Sequence, residues 1–254
     1  MHWPDDRKKI RASYDTQGFV VVKQFCQKQQ VQLLRDNLDR YISDIVPDLP
    51  AMDVFYENKS VQHQIRQLPR MGLHDPWFHD QLTIGPLPQI AEHLIGCSVV
   101  PQDVSYFNKL AEIGDPTPPH QDGFYFHLDP CEALTLWVAL DDVDEENGCM
   151  HYVAGSHQRG MRNHGRTQVL GFSQGVVDYG SEEDRANEVP ACASAGDLVI
   201  HDAMTIHRTG ANHSTRSRRA LGFVYYSSRA QTDTAAKSQY HEKLSGELKA
   251  EGRI

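Results

Sequence analysis

Two textures divide the chain. Between about residues 28 and 96 apolar positions recur every three or four residues. Between about 98 and 228 short apolar runs alternate with turn residues. In the first part Val31, Leu34, Leu38, Tyr41, Ile42 and Ile45 mark one face of a helix over about 28–46. Leu87, Ile90, Ala91, Leu94 and Ile95 mark a second near 87–95, with Pro86 at its start and Gly96 just past its end. Residues 18–23 are rich in β-branched side chains and read as an early strand. Trp77 and Phe78 are expected to pack within the helical layer.

In the second part 133–140 reads as a strand that ends in the acidic, turn-rich stretch 141–148. Residues 149–154 then read as the returning strand, with Asn147-Gly148 near the reversal. Further strands are expected over 196–201 and 221–226. Several short strands at this spacing predict a sandwich or jelly roll. The polar segment 158–190 has little periodicity and reads as a long surface excursion, a lid in function. The tail over about 232–250 reads as a helix with Tyr240, Leu244 and Leu248 on one side. No internal repeat, low-complexity tract or linker interrupts the sequence, so one domain is expected over 1–254, with helical support about 28–96 and a jelly-roll core about 98–228.

Composition adds limits. Of 254 residues, 39% are hydrophobic and 23% charged, which predicts a packed core rather than general disorder. A formal charge of −9 argues against nucleic acid as a partner. The first residues carry neither an apolar run nor a cleavage signal, and no stretch is long enough to span a membrane. Five scattered cysteines without a CxxC pair indicate neither a disulfide framework nor a zinc-thiolate site. Each thiol is therefore read as a small buried residue, and a reducing cytoplasm fits best.

Chemistry concentrates at His120-Gln121-Asp122 and His207. Residues two apart in a strand face the same way, so an extended 120–122 would aim His120 and Asp122 at one metal. Two imidazoles and one carboxylate suit ferrous iron, and with three ligands on one side the opposite coordination positions stay open.

The order of further blocks is specific. Residues 119–123 (Pro-His-Gln-Asp-Gly), 136–142 (Leu-Trp-Val-Ala-Leu-Asp-Asp), 146–150 (Glu-Asn-Gly-Cys-Met), 155–157 (Gly-Ser-His), 207–212 (His-Arg-Thr-Gly-Ala-Asn) and 218–220 (Arg-Arg-Ala) follow one another. Together they resemble the successive signatures of the phytanoyl-CoA dioxygenase family, from the early strand to about residue 228. The resemblance implies a double-stranded β-helix (jelly roll), mainly β with flanking helices. It implies a Fe(II)- and 2-oxoglutarate-dependent dioxygenase that hydroxylates a small organic molecule with O2 and releases succinate and CO2. His120, Asp122 and His207 correspond to the family's metal ligands, and Arg218, eleven residues after His207, to the arginine that anchors the far carboxylate of 2-oxoglutarate. Thr209 matches a position whose hydroxyl holds the same carboxylate, although a threonine satisfying a turn fits equally well. Trp137 and Ser105 match positions lining the co-substrate pocket, with plain core an equal alternative for Trp137. Arg66 falls, in a loose alignment, where some relatives carry a lysine touching 2-oxoglutarate.

Adjacent strand residues face opposite ways, so only one of Arg218 and Arg219 is expected to point inward. Phe124 and Phe126 are expected on alternate strand positions, as core. His157 is a candidate to face substrate, whereas His127, His151, His201 and His213 receive no role. Asp122 stands where related halogenases carry a small residue, which favours hydroxylation over halogenation. Two rival readings remain: a cupin-like metal hydrolase or isomerase, which needs no Arg218 anchor, and a catalytically inactive metal-binding or regulatory jelly-roll protein, which usually loses a ligand.

Overall fold

The computed structural model describes residues 1–57, 64–169 and 172–252. The chain opens with helix α1 (Arg7–Gln17), strand β1 (Phe19–Val22) and helix α2 (Lys28–Asp44). Next come β2 (Phe55–Tyr56), β3 (Ile65–Leu68), α3 (Met71–His74), α4 (Pro76–Thr83) and α5 (Pro86–Ile95). The barrel strands follow as β4 (Val99–Lys109), β5 (Thr117–His120), the single turn α6 (Gly123–Phe126), β6 (Leu128–Asp129), β7 (Ala133–Ala139) and β8 (Met150–Val153). A hairpin of β9 (His164–Val169) and β10 (Phe172–Val176) leads to α7 (Glu182–Ala186) and β11 (Glu188–Ala191). The chain ends with β12 (Leu198–Asp202), β13 (His207–Thr209), β14 (Arg218–Ser227), β15 (Gln231–Thr232) and α8 (Thr234–Ala250).

Two antiparallel sheets make the jelly roll. The larger has the order β1-β12-β7-β14-β4-β3-β2 and the smaller β11-β8-β13-β5. Period-two alternation sorts the larger sheet's side chains. Leu134, Leu136, Val138, Leu198, Ile200, Leu221 and Phe223 pack on the helices, against Ile10, Leu38, Phe78, Ile90 and Leu94. Phe19, Trp137, Ala139, Val199 and Ala220 face the other way and pack on Cys149, Met150 and Tyr152 of the smaller sheet. The helical stripes expected from the sequence supply the outer layer: Val31, Leu34, Leu38 and Tyr41 are the buried residues of α2, and Leu87, Ile90, Ala91 and Leu94 those of α5. Phe78 packs edge-on against both Trp77 and Tyr41, as expected of that layer.

Three expectations need correction. Residues 133–139 and 150–153 do not form a hairpin: β7 belongs to the larger sheet and β8 to the smaller. The connection is an asparagine-braced corner. The Asn147 side chain accepts from Asp144 N (2.9 Å) and donates to Asp142 O (2.7 Å). Gly148 then takes φ 82°, where a Cβ would stand 2.7 Å from Gly210 O. The segment 158–190 carries the β9–β10 hairpin, α7 and β11, with positions 170 and 171 outside the described residues. Its polar surface hid a strand pair that lies beside β5. Of the five thiols only Cys149 is buried; Cys192 is exposed and Cys26, Cys97 and Cys131 are intermediate. Among the described residues no helix is long and apolar enough to cross a membrane.

Candidate metal centre

β5 and β13 are paired, with His120 opposite His207. Cross-strand neighbours approach within side-chain contact, and the two imidazole centroids lie 4.2 Å apart. Asp122 arrives differently from the expected extended strand. β5 ends at His120, and Asp122 has helical backbone angles (φ −56°, ψ −35°) at the start of α6. The chain bends tightly there, and a Cβ at Gly123 would lie 2.5 Å from the Cys131 sulfur. The bend brings Asp122 Oδ1 to 3.5 Å from His120 Nε2 and 3.7 Å from His207 Nε2. One ligand atom from each of the three residues lies within 4.8 Å of the others. Phe124 and Phe126 consequently sit on a helical turn rather than on alternate strand positions.

Surrounding groups orient the three donors. His120 Nδ1 lies 2.8 Å from Pro118 O, and His207 Nδ1 lies 3.0 Å from Thr205 O. Carbonyls only accept, so each Nδ1 carries the proton and each Nε2 lone pair faces Asp122. Asp122 Oδ2 accepts from Thr135 Oγ1 at 2.7 Å and from His201 Nε2 at 3.1 Å, which leaves Oδ1 toward the histidines. His201 is held in turn by the Tyr152 hydroxyl at 2.8 Å. Burial opposes the Asp122 charge, but the surrounding His120, His201 and His207 outweigh it and hold the carboxyl well below its usual range. Burial, then His120 and His201, push His207 well below the usual histidine value. A charged carboxylate beside a neutral imidazole is the protonation state that binds a divalent cation, and nitrogen and oxygen donors without thiolate suit iron.

A cavity of about 90 Å³ extends from this triad. Arg218 is 4% exposed and lines it; its Nε is buried with no hydrogen-bond partner, and its guanidinium stacks 5.1 Å over Trp137. Burial pulls it down to about 10, so it stays charged at neutral pH. Its neighbour Arg219 points outward into a two-toothed pair with Asp141 (2.9 and 2.9 Å), as strand alternation requires. Thr209 lines the cavity and its hydroxyl accepts from Thr117 N at 3.1 Å. Arg66 also lines it, paired with Glu57 at 3.3 Å. Ser105 does not: it donates to Asp103 at 2.7 Å and lines a second cavity of about 360 Å³. Strand β4 runs past both chambers, with Phe107 and Lys109 in the first and Asp103 and Ser105 in the second.

Sequence reasoning missed Lys109 and His201. Lys109 is buried in the first cavity, where burial and then Arg218 and Arg66 push its ammonium down to about 6. Period-two counting along β4 from Ser105 would have found Lys109. His157, a candidate to face substrate, instead bonds Asp15 O at 3.1 Å beside Gly18 and does not line the triad cavity. The second cavity is walled by Phe55, Tyr125, Tyr226 and Leu248, with Tyr240 of α8 and Arg166 of β9 across it. Tyr125 belongs to both regions, since its ring centroid is 6.1 Å from that of His120.

Known proteins resemble this chain in sequence and in fold. "Phytanoyl-CoA dioxygenase domain-containing protein 1" of Mus musculus is 32% identical over 152 residues, covering 58% of this chain and 52% of the relative. Peroxisomal phytanoyl-CoA dioxygenase of Rattus norvegicus is 25% identical over 232 residues, covering 86% of this chain and 68% of the relative. The chain spans about half the length of the first curated relatives it matches. Among solved structures, the epimerase SnoN in complex with Fe3+, alpha ketoglutarate and nogalamycin RO superposes with a TM-score of 0.74 at 24% identity, covering 90% of this chain and 86% of that one. EctD from S. alaskensis, solved with 2-oxoglutarate and 5-hydroxyectoine, superposes with a TM-score of 0.71 at 19% identity, covering 86% and 75%. These likenesses bear on the fold. The sequence profile of the phytanoyl-CoA dioxygenase family spans residues 14–220, and the chain belongs to that family.

Proposed function

We propose that this chain is an iron(II)- and 2-oxoglutarate-dependent dioxygenase that hydroxylates a small organic molecule and releases succinate and CO2. His120, Asp122 and His207 would hold the metal. Iron bound there supplies the O2 chemistry that no side chain can perform. Arg218 receives the far carboxylate of 2-oxoglutarate: a buried, unpartnered guanidinium edge needs an anion, and a carboxylate fits it in two-toothed geometry. This orphaned Arg218 in the triad's own cavity carries the reading. Thr209 adds a hydroxyl, Trp137 stacks on the guanidinium, Arg66 adds positive charge, and Lys109 gains its charge as the dianion binds. His201 and Thr135 keep Asp122 ionised and oriented. The larger chamber beside Tyr125 takes the molecule to be oxidised, and its apolar walls exclude water from the reacting carbon. Ser105 belongs to that chamber rather than to the co-substrate. We place the protein in the cytoplasm, consistent with its free thiols.

The test is succinate formation from 2-oxoglutarate with ferrous iron and ascorbate, with and without a metabolite library. Activity that requires iron and falls at least tenfold in Arg218→Met supports the reading. Metal-dependent chemistry that ignores 2-oxoglutarate supports a hydrolase or isomerase instead.

A further inference from the structure

Cys149 and Cys192 face each other across the edge of the smaller sheet. β8 and β11 pair antiparallel with Met150 opposite Ala191, so the next partners in register are Cys149 and Cys192. The hydrogen-bond phase fixes the kind of pair. Ala154 N donates to Asn187 O at 2.9 Å, five steps along the same register. Bonded and non-bonded pairs alternate in an antiparallel ladder, so an odd number of steps makes Cys149 and Cys192 a non-bonded pair. Two other observations agree. Pro190, which has no N–H, falls opposite His151 at a non-bonded site, and Val153 turns its N–H to Ile206 O instead of to β11. Non-bonded partners have Cα atoms about 4.5 Å apart, within the span of about 4.4–6.8 Å that a disulfide bridges.

The two thiols differ in access. Cys192 is exposed and Cys149 buried. Burial, followed by the neighbouring Cys192, pushes the Cys149 thiol up to about 12, so it needs a base to react. His151 Nε2 lies 3.6 Å from Cys149 Sγ, within reach to relay the thiol proton to the departing sulfur as Cys149 attacks.

We propose that Cys149 and Cys192 are a redox-active thiol pair that closes to a cross-strand disulfide by exchange with a small-molecule disulfide such as oxidised glutathione. The Cys192 thiolate attacks one glutathione sulfur, the S–S bond breaks, and one glutathione thiolate leaves. Cys149 attacks the Cys192 sulfur as His151 relays its proton to the second glutathione sulfur, which leaves as the thiol. Two protein thiols are oxidised and one glutathione disulfide is reduced to two thiols. The bridge would staple β11 to β8 directly behind Met150, which lines the triad cavity. Neither cysteine lines that cavity, so the pair stands apart from the function proposed above.

The experiment treats the full chain with excess oxidised glutathione, quenches in acid, unfolds and alkylates it, and maps the peptides by mass spectrometry. A Cys149–Cys192 cross-linked peptide is expected, reversed by dithiothreitol. Cys149→Ser should stop at a glutathione adduct on Cys192, and Cys192→Ser should leave Cys149 fully alkylatable. His151→Asn should prolong the life of the Cys192 adduct at least severalfold. A wild-type protein that stops at the Cys192 adduct with Cys149 alkylated overturns the proposal. Because Cys192 is exposed, its serine variant tests the pair without disturbing the core.

Discussion

His201 shows how a residue without any motif governs a site. It donates to the oxygen of Asp122 that turns away from the other two histidines, and Tyr152 fixes its opposite nitrogen. Supporting hydrogen bonds of this kind set ligand orientation and basicity. His201→Ala should weaken divalent-metal affinity about 10- to 100-fold and also lower the melting temperature of the metal-free protein, because the buried ring leaves a cavity and an unpartnered Tyr152 hydroxyl, as read by metal titration and calorimetry. Lys109 offers a second test. Its folded value of about 6 leaves it mostly neutral above neutral pH, and a dianion beside it favours the charged form. Binding of 2-oxoglutarate at pH 7.5 should therefore take up about one proton, and affinity should fall as pH rises above 6. Calorimetry in two buffers of different ionisation enthalpy measures the uptake, which Lys109→Met should abolish. His120, Asp122, His207 and Arg218 were legible because their spacing in an ordered series of blocks is specific. His201 and Lys109 reach the same cavity from β12 and β4; alternation along β4 from Ser105 leads to Lys109, whereas nothing local in β12 marks His201.

At the scale of elements, period and caps governed success. Helices α2 and α5 were legible because their apolar stripes repeat at helical spacing over two turns or more. The β9–β10 hairpin was not, because its residues lie in a polar stretch without the alternation that signals a half-buried strand. The turn at Asp122 is not legible for a related reason: four residues of α6 are too few to show a period, so an extended 120–122 is the simplest way to aim both side chains at one metal. Helix α4 begins at Asp75, whose carboxylate accepts from Phe78 N at 3.2 Å and pairs with Arg40 at 2.8 and 3.0 Å. Asp75→Ala removes a cap worth about 1 kcal/mol, and Arg40 is exposed enough to be rehydrated, so the pair adds at most about 1 kcal/mol more. Urea denaturation should show a loss of about 1–2 kcal/mol; a loss below about 0.3 kcal/mol would mean that the cap is replaced by water.

Across the whole molecule the titration of buried acids points one way. For Asp75, Asp141, Asp184, Glu188 and Asp197 burial opposes the charge, yet hydrogen bonds from Arg40, Arg219, Arg162, Arg208 and Lys23 respectively outweigh it and lower each value. A lowered carboxyl stabilises the fold above its unfolded value and loses that stabilisation as pH falls through its folded value. Asp103 and Asp202, raised by burial, act in the opposite sense but are fewer. Lys109, lowered by burial, takes up a proton on unfolding near neutral pH and so also makes stability rise with pH. The melting temperature should rise between pH 6 and 8, as Lys109 loses its charge in the fold, and fall steeply below about pH 4, measured by calorimetry in low salt. Asp184→Asn removes one lowered carboxyl from this set, so the melting temperature at neutral pH should drop and the acid limb become shallower.

The amino-acid sequence alone determined the β-rich class with its helical layer, and its ordered blocks, through their resemblance to the family, named the candidate metal ligands and Arg218. Each of these depends on short-range periodicity or on residue type in an ordered series, which a chain carries in one dimension. Only the tertiary structure decided which strands share a sheet, that Ser105 and Lys109 serve different chambers, that His201 holds Asp122, and that Cys149 meets Cys192. Those relations come from register between segments far apart in the chain, and register is set by packing in three dimensions, not by any local pattern.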